Sequence, residues 1–361
     1  MLLIQAMKKL YIGIILLSLV SWKSMAQDPQ FSQFYAAPMY QNPAFAGSAY
    51  APRLIANYRN QWPSINANFV TSAFSVDHYI DKLNSGIGIM VMNDSQGPGR
   101  LKSTELSGLY SYQIQLGEEN FLRLGAQATY SNKSLDYLGL TFGDQYTNRG
   151  YTGNPSSDPY ADKNNITPIK FVDFSGGALF YNSKTWLGVS VHHINRPTYS
   201  FLNTGATTAI AGCPTGDCLP RKISVSGGLK IPLANPYSGA GNADKEFSVS
   251  PAFLYKRQGK FDQFDLGFYT TYSSLTAGLW YRGIPIKKKN ITRTNNDALV
   301  FLLGYRQDNF SIGYSYDVTI SSLGFSTGGS HEISIAYQLD PFERDSPRKR
   351  RNKKELSCPK Y

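Results

Sequence analysis

The sequence predicts an all-β protein: a transmembrane antiparallel β-barrel of about 14 strands with long extracellular loops and a short basic C-terminal tail. Three observations carry this. Segment after segment alternates apolar and polar residues with period two. The connections between these segments alternate between long and short. Beyond the first 26 residues, no window is apolar over the roughly 20 residues that a membrane helix needs. Composition agrees: Tyr (25), Phe (20) and Gly (32) are abundant, while charged residues make up only 17%. In a membrane strand every second residue faces water, so mean hydropathy stays low. A soluble sandwich or propeller could share that composition, but would have no reason to sort its loops by length.

Residues 1–26 read as a signal peptide. Lys8 and Lys9 precede the apolar run Leu10 to Val20, and Ser24-Met25-Ala26 supplies small residues for cleavage before Gln27. Residues 27–46 are expected as a periplasmic N-terminal segment, 47–342 as the barrel and 343–361 as a basic periplasmic tail. The full chain carries +11; removing Lys8, Lys9 and Lys23 leaves about +8, of which the tail holds +5.

Strands are expected near 50–59, 67–80, 84–93, 103–115, 119–132, 171–181 and 184–193. The second half adds 220–231, 245–257, 260–271, 274–283, 297–306, 309–318 and 328–340. The pattern is clearest near the end, where Phe310, Ile312, Tyr314, Tyr316 and Val318 alternate with Ser311, Gly313, Ser315 and Asp317. With the chain entering from the periplasm, the outward loops include 94–102, 133–170, 194–219 and 284–296, whereas 81–83, 182–183 and 307–308 are short inward turns. Two connections break this parity: 258–259 is a short outward turn, and 232–244 a long inward one.

Several residue sets are candidates for function. The charges expected in the lumen are Arg53, Arg59, Asp77, Glu105, Arg123, Asp173, Lys222, Lys230, Asp265 and Arg282. They either solvate a watery lumen or bind a polypeptide segment that enters it. Tyr58, Tyr79, Tyr130, Tyr255, Tyr281 and Tyr305 are placed for interfacial girdles. Inward-facing Gly125, Gly228, Gly267, Gly278 and Gly313 point to curvature, or to close approach of something in the lumen. Cys213 and Cys218 suit a small surface disulfide in an oxidising compartment, with a metal site as the alternative. Cys358 is left over. His192 and His193 are adjacent on a strand and so are expected on opposite faces, which argues against a paired ligand set. No catalytic or nucleotide-binding motif appears, and no enzyme activity, metal or cofactor is expected. Nucleic acid is a poor partner for an exported chain.

The run Gln27-Asp28-Pro29-Gln30-Phe31-Ser32-Gln33-Phe34-Tyr35 is followed by Met39-Tyr40-Gln41-Asn42-Pro43-Ala44-Phe45-Ala46-Gly47 and then Tyr58-Arg59-Asn60-Gln61-Trp62-Pro63. It resembles the PorP/SprF family of outer-membrane proteins in the Bacteroidota type IX secretion system. The ending Cys358-Pro359-Lys360-Tyr361 looks like that of the SprF-type branch. The resemblance implies a non-enzymatic outer-membrane component that binds, helps export or anchors the C-terminal domain of a large surface protein such as a gliding adhesin. Implied partners are that protein, the periplasmic secretion or gliding machinery, and outer-membrane lipid. Both chain ends are expected in the periplasm. The basic cluster Arg348, Lys349, Arg350, Arg351, Lys353 and Lys354 is expected either to rest against lipid head groups or to dock on the machinery. The competing reading is a passive porin or a hydrophobic-solute channel.

Overall fold

Alternation of side chains across each segment closes into one barrel. The structure, a computed structural model, describes residues 28–65, 68–97, 101–136, 140–158, 161–162, 167–199, 201, 218–233, 247–290, 293–321 and 324–340, with backbone alone for 285–290 and 293–294. The strands of the barrel are β1 (Arg53–Gln61), β2 (Phe69–Ile80), β3 (Ser85–Gln96), β4 (Leu101–Gln115), β5 (Phe121–Ser134), β6 (Ile169–Tyr181) and β7 (Thr185–His192). They continue with β8 (Lys222–Leu229), β9 (Phe247–Gln258), β10 (Phe261–Tyr272), β11 (Leu275–Asn290), β12 (Arg293–Gln307), β13 (Phe310–Thr319) and β14 (Ser330–Gln338). Every neighbouring pair is antiparallel, and β1 pairs with both β2 and β14, so no edge is left open. Closure removes the row of unpaired backbone groups that lipid could not satisfy.

Each strand has a greasy outside and a polar inside. On β13, Ile312 and Tyr314 are exposed to the surroundings, while Ser311, Ser315 and Asp317 are buried inward. On β14, Ile333, Ile335 and Tyr337 face out, against Glu332 and Ser334 inside. At one mouth several tight turns use left-handed residues, Asn84 (φ 48°), Ser273 (φ 54°) and Asp308 (φ 51°). Short polar side chains tolerate that conformation better than bulky ones. Most long connections lie at the other mouth, where 135–168 carries a small hairpin, Tyr146–Thr147 against Gly150–Tyr151; the long 230–246 connection stays on the short-turn side, as expected.

The expected strands are all present, with shifted ends, and two expected loops are largely strand. β11 and β12 pair beyond the rim as far as Asn290 and Arg293, with register shifts after Arg282, so 284–296 is a ribbon rather than a loop. Likewise β3 and β4 reach Gln96 and Leu101, which shortens 94–102. The N-terminal segment is a larger correction. From Asp28 onward, the residues expected in the periplasm lie inside the barrel, buried from Phe31 to Ala51 apart from Ala36 and Tyr40, which are partly so. The signal peptide and the basic cluster from Arg348 to Lys354 fall outside the described residues, as do Cys213 and Cys358.

Candidate functional site: a filled lumen

Aromatic residues and prolines in 28–52 leave no period for a helix or strand, and the segment folds into short turns against the wall. One helical turn, Pro38–Gln41, is followed by a 3-10 turn, Pro43–Phe45. Proline opens both, where its missing N–H is not needed. Phe34 packs edge-on against Trp280 (5.1 Å between ring centres), and Tyr35 against Tyr269 (4.7 Å). Phe45 meets Trp186. The wall therefore supplies the apolar core that this segment could not make alone.

Polar wall side chains satisfy its backbone. Ser190 Oγ donates to the Gln41 carbonyl (2.8 Å) and Ser111 Oγ to that of Ala46 (2.7 Å). Asn42 reaches outward instead, donating to the carbonyls of Ala178 and Val189, while its own oxygen accepts from Ala44 N–H. Glycines in the wall make room. A Cβ on Gly125 would lie 2.2 Å from Ala44 N, on Gly86 2.0 Å from Ala46 O, and on Gly177 2.0 Å from Asn42 Oδ1. Of the two explanations for the inward glycines, close approach holds at Gly125. At Gly267 and Gly278 the space is taken by Trp280 and Tyr269.

The expected lumenal charges separate into groups. Arg59 and Arg282 both bind Asp317 Oδ2 (2.9 Å each), and Arg59 also reaches Glu332 (3.1 Å). Asp265 lies beside Arg282 (3.4 Å). Into this network the segment inserts Ser32 and Gln33: both N–H groups donate to the Glu332 carboxylate (2.7 and 3.0 Å), and Ser32 Oγ donates to Asp317 (2.6 Å). Lower down, Arg53 pairs with both oxygens of Asp77, and Asp77 Oδ2 also accepts from Gly47 N–H (2.7 Å). Glu105 is beside Lys133 (3.9 Å). Lys230 sits past the end of β8, half-buried.

The two histidines depart from strand alternation for a local reason. His193 adopts φ 58°, so the strand alternation breaks after His192 and both rings turn inward. His193 bridges Asp173 (3.0 Å) and Asp28 (2.8 Å), and Lys222 Nζ also reaches Asp28 (2.7 Å). Burial alone would lower the His193 pKa, but the Asp28 and Asp173 carboxylates override it and hold it up at about 9. Tyr79, expected in a girdle, is buried inside against Tyr50 and Arg123. Among the described residues no group of three His, Cys, Asp or Glu is placed to hold a metal. Cys218 is disulfide-bonded, and Cys213 lies outside the described residues.

The segment runs the length of the lumen. Asp28 is at the long-loop mouth, hydrogen-bonded to Gln258, His193 and Lys222. The described chain ends at the opposite mouth, where Leu339 N–H donates to Pro52 and Asp340 accepts from Asn309. Residues 28 and 340 thus lie at opposite ends, not at one end as expected.

Fold and site together define an outer-membrane β-barrel whose lumen is occupied by its own N-terminal segment. The chain belongs to the family described as type IX secretion system membrane protein PorP/SprF, whose model matches residues 23–337. That family covers both named branches. No curated protein matches the chain. Among solved structures it is similar to the P. putida toluene transporter TodX (10% identity, 82% of this chain and 92% of that one, TM-score 0.44). A Pseudomonas aeruginosa FadL homologue matches at 13% identity over 84% and 94%, TM-score 0.40. BamA from Haemophilus ducreyi lacking POTRA domains 1–3 matches at 8% over 80% and 70%, TM-score 0.38.

Proposed function

We propose that this barrel is a non-enzymatic outer-membrane component of type IX secretion that binds, helps export or anchors the C-terminal domain of a large surface protein, such as a gliding adhesin. The observation that carries this reading beyond the family is the occupied lumen. A channel for solutes needs an open path, whereas residues 31–51 bury aromatic rings and hydrogen-bonded backbone across this one. On this reading the barrel is a platform: cargo meets its long-loop mouth, and the machinery meets its short-turn mouth, which faces the periplasm. The basic cluster Arg348, Lys349, Arg350, Arg351, Lys353 and Lys354 belongs to the second contact, docking on an acidic periplasmic face. The Cys213–Cys218 disulfide would then close a loop on the cargo side.

The test is retention of the surface protein. A tagged barrel is expected to co-purify with the C-terminal domain of the surface protein whose display it supports, and deletion of 344–361 should leave the barrel assembled but abolish display. Normal display without the barrel, together with solute conductance by the purified protein, would establish the porin reading instead.

A further inference from the structure

Arg123 differs from every other charge in the lumen that carries an ion pair. It is fully buried (0% exposed), yet none of its guanidinium nitrogens has a hydrogen-bond partner. Among the described residues no carboxylate pairs with it either; its contacts are the ring faces of Tyr79 (5.2 Å) and Tyr50 (5.8 Å). A guanidinium presents five N–H donors and stays charged, and burying it unpaired costs several kcal/mol. Two aromatic faces offset part of that cost through cation–π attraction. Water could accept from the donors but leaves the charge unneutralised.

Among the described residues the surroundings do not offer an internal anion. Tyr50 and Tyr181 hydroxyls lie 2.6 Å apart and share Gln113 Oε1 (2.9 and 3.1 Å), so this polar group is occupied with itself. Tyr50 also adopts φ 56°, a left-handed conformation that a bulky side chain rarely takes. It is held there where the lumenal segment turns into β1, next to the Arg53–Asp77 pair. Backbone strain of this kind persists only where the surroundings over-determine it.

We propose that Arg123 holds a small monovalent anion of the halide class beneath the Tyr50–Tyr79 pair. The anion neutralises the guanidinium and fixes the foot of the lumenal segment to the wall. Among the described residues nothing else gives this arginine a counter-charge.

Bromide is the probe. Crystals soaked in bromide should show an anomalous peak at hydrogen-bond distance from the Arg123 guanidinium, absent in Arg123→Met, which keeps the volume and removes the charge. In solution, a site that binds only the native state stabilises it by mass action. The unfolding midpoint of the wild type should therefore rise when gluconate is replaced by bromide at equal ionic strength, while that of Arg123→Met should not. Replacing an unpaired buried charge by an apolar side chain is often neutral or stabilising, so the variant should fold and should match or exceed the wild type in gluconate. Ordered waters alone on the guanidinium, or equal bromide responses in the two proteins, would overturn the proposal.

Discussion

Arg59 and Arg123 are both fully buried arginines on the inner wall, and the lumen treats them in opposite ways. Arg59, toward the long-loop mouth, sits between Asp317 and Glu332 and touches Ser32 of the inserted segment. Arg123, toward the short-turn mouth, faces two aromatic rings and, among the described residues, no carboxylate. The segment is accordingly held in two ways. Its head, Ser32 and Gln33, is gripped by charge. Its foot, Ala44 to Gly47, is held by fit, with wall glycines pressed against its backbone. Charge grips depend on keeping both partners; steric grips depend on keeping the space empty.

Breaking the charge grip should have the largest effect. Glu332→Ala leaves Arg59 with one carboxylate partner fewer and orphans the Ser32 and Gln33 N–H groups, so the barrel should lose about 3–5 kcal/mol. Urea unfolding in lipid vesicles, with Glu332→Gln alongside, measures this. An effect below about 1 kcal/mol would show that the network is a bystander.

The wall behind the head gives the next effect. Arg in place of Tyr314, outward on β13, should cost about 2–4 kcal/mol near the membrane midplane. From period-two alternation alone, Arg in place of the adjacent Ser315 looks mild, because a lumen-facing position should be wet. The structure reverses that expectation: Ser315 is fully buried and accepts a hydrogen bond from Gln33 (3.2 Å). Both substitutions should therefore reduce the heat-modifiable folded barrel, and a tolerated Ser315→Arg would mean that the head is not seated there.

At the foot, Gly125→Ala drives a methyl into the Ala44 backbone and should cost about 1–3 kcal/mol by overpacking. Gly108→Ala, also in the barrel but with nothing within 4 Å of the new carbon, is the control and should be neutral. Equal behaviour of the two would remove the steric grip from the account.

The smallest effect is a pH dependence at the rim. His193 has a folded pKa of about 9, raised above its ordinary 6.5 by Asp28 and Asp173 despite burial. A raised pKa means that its contribution is fully present below pH 6.5 and fades as pH rises through 9. Stability should fall over that range in the wild type but less so in His193→Gln, as read from unfolding midpoints between pH 6 and 10.

These contrasts also mark what the sequence could reveal. Strand number and facing were legible because a half-buried strand writes period two into its residues, as in Phe310 to Thr319. The inserted segment was not legible. Its residues have no period, and a run such as Phe34-Tyr35 reads the same whether it packs in a lumen or on a partner. The nearest signal was glycine: Gly125 marked a close approach, but curvature predicts the same residue. His193 and Tyr50 depend on left-handed backbone that neither residue type advertises. The lumenal charges were recognisable singly, while their division into paired and unpaired sets required the tertiary register.

The central claim is that residues 28–52 occupy the lumen and close it. Single-barrel conductance in planar bilayers tests it directly, comparing the intact protein with one lacking residues 28–46. The intact barrel should be electrically silent and the truncated one should pass ions. Steady conductance by the intact, folded barrel, unchanged by the deletion, would contradict the account.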